Sequence, residues 1–332
     1  MNTKKIIKLA ILLCSCVFSI SSIAQQGQVE ANGITIAYES FGQKDNETIL
    51  LISGTNAQLT MWPEDFCHKL ADYGYRVIRF DNRDIGLSTK FNKAGMPDWA
   101  AITQAMQEKK TPPLPYTLDD MADDAVGLLD ALGIEKAHIV GASMGAMIAQ
   151  RVAYNHPEHT LSLASIAGGG GSAAFPMVAK PEVFNKLPQP GNPADTVEYI
   201  DREILVRKAI SGSDNPLDED KLLDEITTEI ARSYYPEGIA RQGAASMAGF
   251  YAGRQEQLKT IKVPTVVIHG SDDPLVVVDA GKDVAAHIPG AAFHLIEGMG
   301  HSVSDPAVSD TIVELIITNA ARAKTIQRNE KS

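Results

Sequence analysis

Apolar residues in this chain arrive mostly in short, dense runs, at 34–40, 48–53, 76–80, 137–141, 161–167, 265–269 and 292–296. Each run reads as a strand, and several are too continuously apolar to alternate, the pattern of strands buried on both faces. Between them the period becomes helical. Thr117-x-x-Asp120 is a capping-box-like start, Leu118, Met121, Ala125, Leu129 and Leu132 form one stripe, and Gly133 stops it. A last helix near 309–321 carries Ile312, Leu315 and Ile316 on one side. Strands alternating with helices predict an α/β fold with a mostly parallel sheet flanked by helices.

From Gly168 to about Leu258 the strand pattern vanishes, and Val197, Ile200 and Ile204, then Leu222, Leu223, Ile226 and Ile230, recur at helical spacing. This predicts a helical cap, 168–258, inserted into a core made of 25–167 and 259–325. Pro181, Pro188, Pro190 and Pro193 punctuate its entry, and Gly168–Gly171 reads as a flexible exit from the core. That glycine run lacks the Gly-Lys-Ser/Thr ending of a phosphate loop, and the acidic 214–220 run lacks the glycine turn and terminal glutamate of a calcium loop. Phe175, Met177, Phe184, Tyr234, Tyr235, Met247, Phe250 and Tyr251 are available either to line an apolar pocket or to pack the cap onto the core.

Chemistry concentrates at Gly141-Ala142-Ser143-Met144-Gly145, between a strand-like run and a helix-like one. A G-x-S-x-G pentapeptide in that setting is a nucleophile elbow, because the turn is too tight for side chains at its glycines and leaves the serine hydroxyl exposed. The Met144 N–H, at the helix start, points where an oxyanion would form. A serine needs a histidine base and a carboxylate orienter, in the chain order Ser, Asp, His. After the 265–269 strand come Asp272 and Asp273, either of which could orient; after the 292–296 strand, a glycine-softened loop ends in His301. His156 and His159 read as helix-terminal structural residues, His138, His269 and His294 as strand packing, and His68 and His287 as helix-surface positions. His156-Pro157-Glu158-His159 has the wrong spacing and a proline for a zinc-binding H-E-x-x-H helix, so no metal and no cofactor are expected.

With these pieces in place the chain resembles the α/β-hydrolase family over nearly all of its length after the first twenty-five or so residues. The matching parts include the early strand and loop Leu50-Leu51-Ile52-Ser53-Gly54-Thr55-Asn56 and the turn running from Phe80-Asp81-Asn82-Arg83-Asp84 to Thr89. The stretch from Gly54 to Thr89, with Met61-Trp62-Pro63 and Arg76-Val77-Ile78-Arg79, is most similar to the aclacinomycin methylesterase type. The resemblance implies Ser143 as nucleophile, Asp273 as orienter, His301 as base, and the backbone N–H groups of Thr55 and Met144 as the oxyanion hole. Ser53-Gly54 replaces the His-Gly that many members carry, a change beside backbone donors that puts local hydrogen bonding in question more than activity. The 81–88 turn itself reads as structural, since Asp, Asn and Gly are the residues that stabilise tight turns.

The amino terminus sets the expected compartment. Lys4, Lys5 and Lys8 precede an apolar stretch, and Ser22-Ile23-Ala24 before Gln25 resembles a cleavage site, so 1–24 reads as a signal peptide and the protein as exported, periplasmic or secreted. The stretch is too short and interrupted to span a bilayer, although Leu13-Cys14-Ser15-Cys16 offers a lipoprotein alternative with Cys16 lipidated. The net charge of −11 becomes −14 without that segment, which carries three lysines and no acid, so nucleic acid and anionic membrane surfaces should repel the chain, and no stable membrane insertion is expected unless Cys16 is lipidated. Cys67 alone then remains of three cysteines, which rules out an internal disulfide and reads as a small buried side chain. The sequence thus predicts a serine hydrolase acting on a small-molecule carboxylic ester, a methyl ester being the case the resemblance suggests. The same triad serves lactonases, peptidases, C–C bond hydrolases and cofactor-free perhydrolases, and a non-catalytic hydrolase-fold binding protein is the alternative of another class.

Overall fold

The computed structural model describes residues 24–172, 174–175, 180–185, 195–212 and 217–331. The expected signal segment, apart from Ala24, lies outside these residues, as do Met177, Pro188, Pro190 and Pro193. Eight strands form one sheet: β1 (Gln25–Ala31), β2 (Ile34–Phe41), β3 (Thr48–Ile52), β4 (Arg76–Phe80), β5 (Ala137–Ala142), β6 (Thr160–Ile166), β7 (Thr265–Gly270) and β8 (Ala292–Ile296). Their order is β1-β2-β4-β3-β5-β6-β7-β8, and every pairing from β4 onward is parallel.

Among the described residues four helices precede β6: α1 (Glu64–Asp72), α2 (Trp99–Gln107), α3 (Leu118–Ala131) and α4 (Met144–Asn155). Between β6 and β7 lie α5 (Pro181–Phe184), α6 (Thr196–Ile210), α7 (Glu219–Arg232), α8 (Pro236–Tyr251) and α9 (Gln255–Leu258), with no strand among the described residues there. The chain closes with α10 (Val278–His287) and α11 (Pro306–Lys331).

Strand β3 explains the unbroken apolar runs. Leu50 and Ile52 join the cluster that holds α3, α4 and α10, Ile49 and Leu51 join the one that holds α1 and α11, and all four are fully buried. A sheet covered on both faces has no side on which a polar residue is free of cost. Helix α3 begins with the capping box foreseen at Thr117 and Asp120 and ends before Gly133, at φ +69°. Cys67 is buried against α1's apolar neighbours, and burial pushes its thiol up to about 12.

Four features depart from the sequence expectations. The chain begins one strand earlier, because β1 pairs antiparallel with β2 through Asn32-Gly33, both at positive φ. His294 faces solvent on the edge strand β8 rather than packing. In the insertion, α6 and α7 pack through Ile200, Ile204, Leu222, Ile226 and Ile230, while Val197 and Leu223 stay 67% and 42% exposed. The seam between two helices is narrower than the stripe their spacing allows. Gly168–Gly171 is also not a loose exit: all four residues are buried, with Gly169 against Phe250 and Gly170 against Val284.

Candidate active site

The parallel strands end along one edge, where open α/β sheets place their functional groups. Strand β5 stops at Ala142, Ser143 takes φ +56° and ψ −121°, and α4 starts at Met144. A Cβ on Gly141 would fall 2.0 Å from the Gly145 carbonyl oxygen, and one on Gly145 2.1 Å from that of Ile52. Only glycine fits at either position, which is why the sharp turn can lift the Ser143 side chain above the sheet.

The loop after β8 brings His301 to this turn. Its Nε2 lies 2.9 Å from Ser143 Oγ and its Nδ1 2.8 Å from Asp273 Oδ2. Of the two aspartates, Asp273 is therefore the one beside His301; Asp272 Oδ1 accepts from the Ser271 hydroxyl at 3.1 Å. The other Asp273 oxygen accepts from the N–H groups of Leu275 (2.8 Å) and Val276 (2.9 Å). His269, expected as a packing residue, has its Nε2 3.4 Å from Asp273 Oδ2 and 3.0 Å from the Val276 carbonyl oxygen. Backbone at His301 is held from the insertion, its N–H donating to the Ile210 carbonyl at the end of α6 at 2.8 Å.

Burial acts to raise the Asp273 pKa. The charge of His301 and hydrogen bonds from His269 and His301 overcome it and hold the carboxyl well below the usual range. A depressed folded-state pKa contributes stability that is complete above the unfolded value of about 4 and is lost as pH falls towards the folded one. Below about pH 4 the wild type is therefore expected to lose unfolding free energy faster than Asp273→Asn. Urea titrations at several pH values check this, and parallel curves for the two proteins would contradict it.

The loop expected to face Ser143 follows β3. A Cβ on Gly54 would sit 3.3 Å from that of Ser143, so the loop and the elbow are in contact. The Gly54 N–H points to the Met61 sulfur at 3.3 Å, the Thr55 hydroxyl pairs with that of Ser246 at 2.9 Å, and the Asn56 N–H donates to Gln242 Oε1 at 2.5 Å. Among the described residues, neither the Thr55 nor the Met144 N–H donates to a protein acceptor.

The 81–88 turn is a structural knot, and it reaches further than its sequence indicates. Asp81 accepts from the N–H groups of Leu59 and Leu87, each at 2.8 Å, and from Arg232 of α7 at 2.7 Å. Asp84, at φ +70°, takes a two-pronged contact from Arg241 of α8 at 2.8 and 2.9 Å. Above the turn a cavity is lined by Asn56, Gln58, Tyr199, Ile226, Tyr234 and Tyr235 among others. Of the aromatic side chains singled out in the sequence, Tyr234 and Tyr235 line this cavity, Phe250 is buried in the core, and Tyr251 is 42% exposed.

Among the described residues no group of histidine, cysteine and carboxylate side chains could hold a metal ion, and no helix is long and apolar enough to cross a membrane.

A strand-elbow-helix at the centre of a covered parallel sheet, with Ser, His and Asp in contact at its edge, defines a hydrolase architecture. The profile described as alpha/beta hydrolase fold matches residues 47–307, and the chain belongs to that family. It is similar to the rhodomycin D methylesterase DauP of Streptomyces sp. (strain C5), 28% identical over 292 residues that cover 81% of this chain and 90% of that one. It is 29% identical, over 77% of this chain and 81% of the other, to a 2-hydroxy-6-oxononadienedioate/2-hydroxy-6-oxononatrienedioate hydrolase of Paraburkholderia phymatum. Among solved structures, the meta-cleavage product hydrolase CumD of Pseudomonas fluorescens shares the fold, with a TM-score of 0.69, 20% identity, and 90% and 98% of the two chains covered.

Proposed function

We propose that this chain is a serine esterase that cleaves an uncharged carboxylic ester, a methyl ester in the first instance, through an acyl-enzyme intermediate. One observation carries the reading: the continuous contact from Asp273 Oδ2 through both imidazole nitrogens of His301 to Ser143 Oγ. His301 Nε2 takes the Ser143 proton as Oγ attacks the ester carbonyl, and Asp273 holds the tautomer that makes this possible. The oxyanion forms against the amides of Thr55 and Met144. Collapse releases the alcohol, protonated by His301, and a water activated by the same nitrogen then frees the acid.

The charge around the cavity favours an acyl portion without a carboxylate. Among the described residues Arg207 is engaged by Glu229 at 2.5 Å, Arg232 by Asp81 at 2.7 Å and Arg241 by Asp84 at 2.8 Å. Lys90 donates to the Gly86 and Ser88 carbonyls, and burial lowers its pKa to about 8. Tyr199, Tyr234, Tyr235 and four isoleucines line the cavity together with Asn56, Gln58, Asp84, Glu229 and Ser233, a mixed apolar and polar surface. The similarity to a methylesterase supports a small alcohol. We also propose export after cleavage near Gln25, a reading supported by Lys4, Lys5 and Lys8, the apolar stretch after them and Ser22-Ile23-Ala24.

Two substrate series test the specificity. With methyl esters of increasing acyl size, each added methylene is expected to raise kcat/KM up to about fourfold, from ~0.8 kcal/mol of buried apolar surface, until the cavity is full. With one acid and increasing alcohol size, kcat/KM is expected to fall. Flat acyl dependence together with a preference for large alcohols or for dianionic acids would sink the assignment.

A further inference from the structure

The loop that supplies the proposed oxyanion donor is held by helix α8 of the insertion, and we infer that Gln242 is a positioning residue for the Thr55 amide. The inference rests on the esterase reading above.

An oxyanion donor works only if its N–H is aimed before the charge appears, and a glycine-containing loop has no intrinsic reason to hold one direction. Here the chain on the carboxyl-terminal side of the Thr55 amide is tied down. The Asn56 N–H, one peptide on, is fixed by Gln242 Oε1 at 2.5 Å, and the Thr55 side chain by Ser246 Oγ at 2.9 Å. Gln242 and Ser246 are four apart, on one face of α8. Asn56 sits at φ +64°, in the left-handed region that few residues besides glycine, asparagine and aspartate adopt.

Gln242 itself is fully buried, an arrangement that an uncharged amide tolerates only with its hydrogen bonds made. Its Nε2 faces the Arg83 carbonyl at 3.4 Å, which sets the amide so that Oε1, not the NH₂, meets Asn56. The neighbouring Arg241 pins the same turn of α8 to Asp84. The chain of support therefore runs from the 81–88 turn, through α8, to the oxyanion loop. On this arrangement the insertion is part of the machinery that shapes the transition state, besides covering the substrate.

The test compares wild type, Gln242→Met, which keeps the length and loses the acceptor, and Ser246→Ala. Each is measured for kcat and KM on a methyl ester, for the inhibition constant of a trifluoromethyl ketone whose hemiketal oxygen occupies the oxyanion position, and for the fraction of active enzyme by fluorophosphonate titration. Full loss of one oxyanion donor costs about 10²–10³-fold in kcat, so misdirecting one is expected to lower kcat about 10–100-fold in Gln242→Met. KM should stay within about threefold, and the ketone inhibition constant should rise by the same factor as kcat/KM falls. Ser246→Ala, the milder change, should lower kcat about threefold to tenfold with the same signature; it decides the matter if Gln242→Met does not fold. The pH dependence of kcat/KM should be unmoved, since neither residue touches His301. A loss confined to KM or to the active fraction, or a ketone constant that does not follow kcat/KM, would overturn the inference while leaving the esterase reading intact. A wild-type enzyme that neither hydrolyses esters nor reacts with the fluorophosphonate would overturn both.

Discussion

Replacing Ser143 with alanine is expected to lower kcat by about 10³-fold or more, and His301→Ala and Asp273→Asn should each do nearly the same, because the three side chains act as a unit. The geometry makes the aspartate comparison the sharpest part of this expectation. Asp273 Oδ2 lies 2.8 Å from His301 Nδ1, and an asparagine there would present either a carbonyl or an NH₂ to that nitrogen and lose the preference for the productive tautomer. Asp272 differs by one position, but its carboxylate accepts from Ser271, and Asp272→Asn should cost less than about tenfold. Initial-rate kinetics on a short methyl ester, corrected for active fraction, would measure all four. If Asp272→Asn is the more damaging of the two, the assignment of the orienter is wrong.

The second large effect concerns stability and lies away from the reacting atoms. Arg241 and Asp84 are 1% and 0% exposed, and the guanidinium also donates to the Gly95 carbonyl at 2.7 Å and to the Tyr235 hydroxyl at 2.9 Å. Removing one member of a buried ion pair leaves the other charged without compensation, at a cost of about 3–5 kcal/mol. Arg241→Met should therefore lose that much unfolding free energy. The double variant Arg241→Met with Asp84→Asn should recover part of it, since the orphaned charge is gone while an oxygen remains for the Phe91 N–H that Asp84 Oδ1 now accepts at 2.7 Å. Urea denaturation of wild type, both single variants and the double variant gives the coupling. A loss below about 1 kcal/mol in Arg241→Met, or additivity in the double variant, would mean that the pair is not the anchor of α8.

Most of the sheet was legible because its strands are buried on both faces and their runs are unbroken; from β2 to β8 the expected strands and the observed ones coincide to within a residue or so at their ends. β1 was missed because an edge strand writes a weak pattern: Gln25, Gln26, Gln28 and Glu30 are polar, and its inward positions include Val29 and Ala31. The Asn32-Gly33 pair, a strong hairpin signal, was the clue available. Glycine spacing and chain order point to Ser143 and His301, whereas the choice of Asp273 over Asp272, and Thr55 as a donor, come only from the family resemblance. What surrounds them was not nameable, since Gln242, Ser246, Arg241 and Ile210 reach the site through contacts between elements far apart in sequence. A buried glutamine in a helix looks like any surface glutamine until the fold is known. The 81–88 turn shows the same limit: Asp81 and Asp84 have the sequence pattern of turn formers, and their second role, receiving Arg232 and Arg241 from α7 and α8, depends on long-range placement.

Every proposed step starts from Ser143 as the nucleophile. Treating the purified protein with a fluorophosphonate and mapping the adduct by mass spectrometry tests this directly, because such reagents react with a serine whose proton has an acceptor and whose oxyanion has donors. One adduct per chain, on the peptide that contains Ser143, with loss of ester hydrolysis in proportion and no adduct in Ser143→Ala, is the predicted result. An unlabelled protein, or a Ser143→Ala variant that still hydrolyses esters at the wild-type rate, would contradict it.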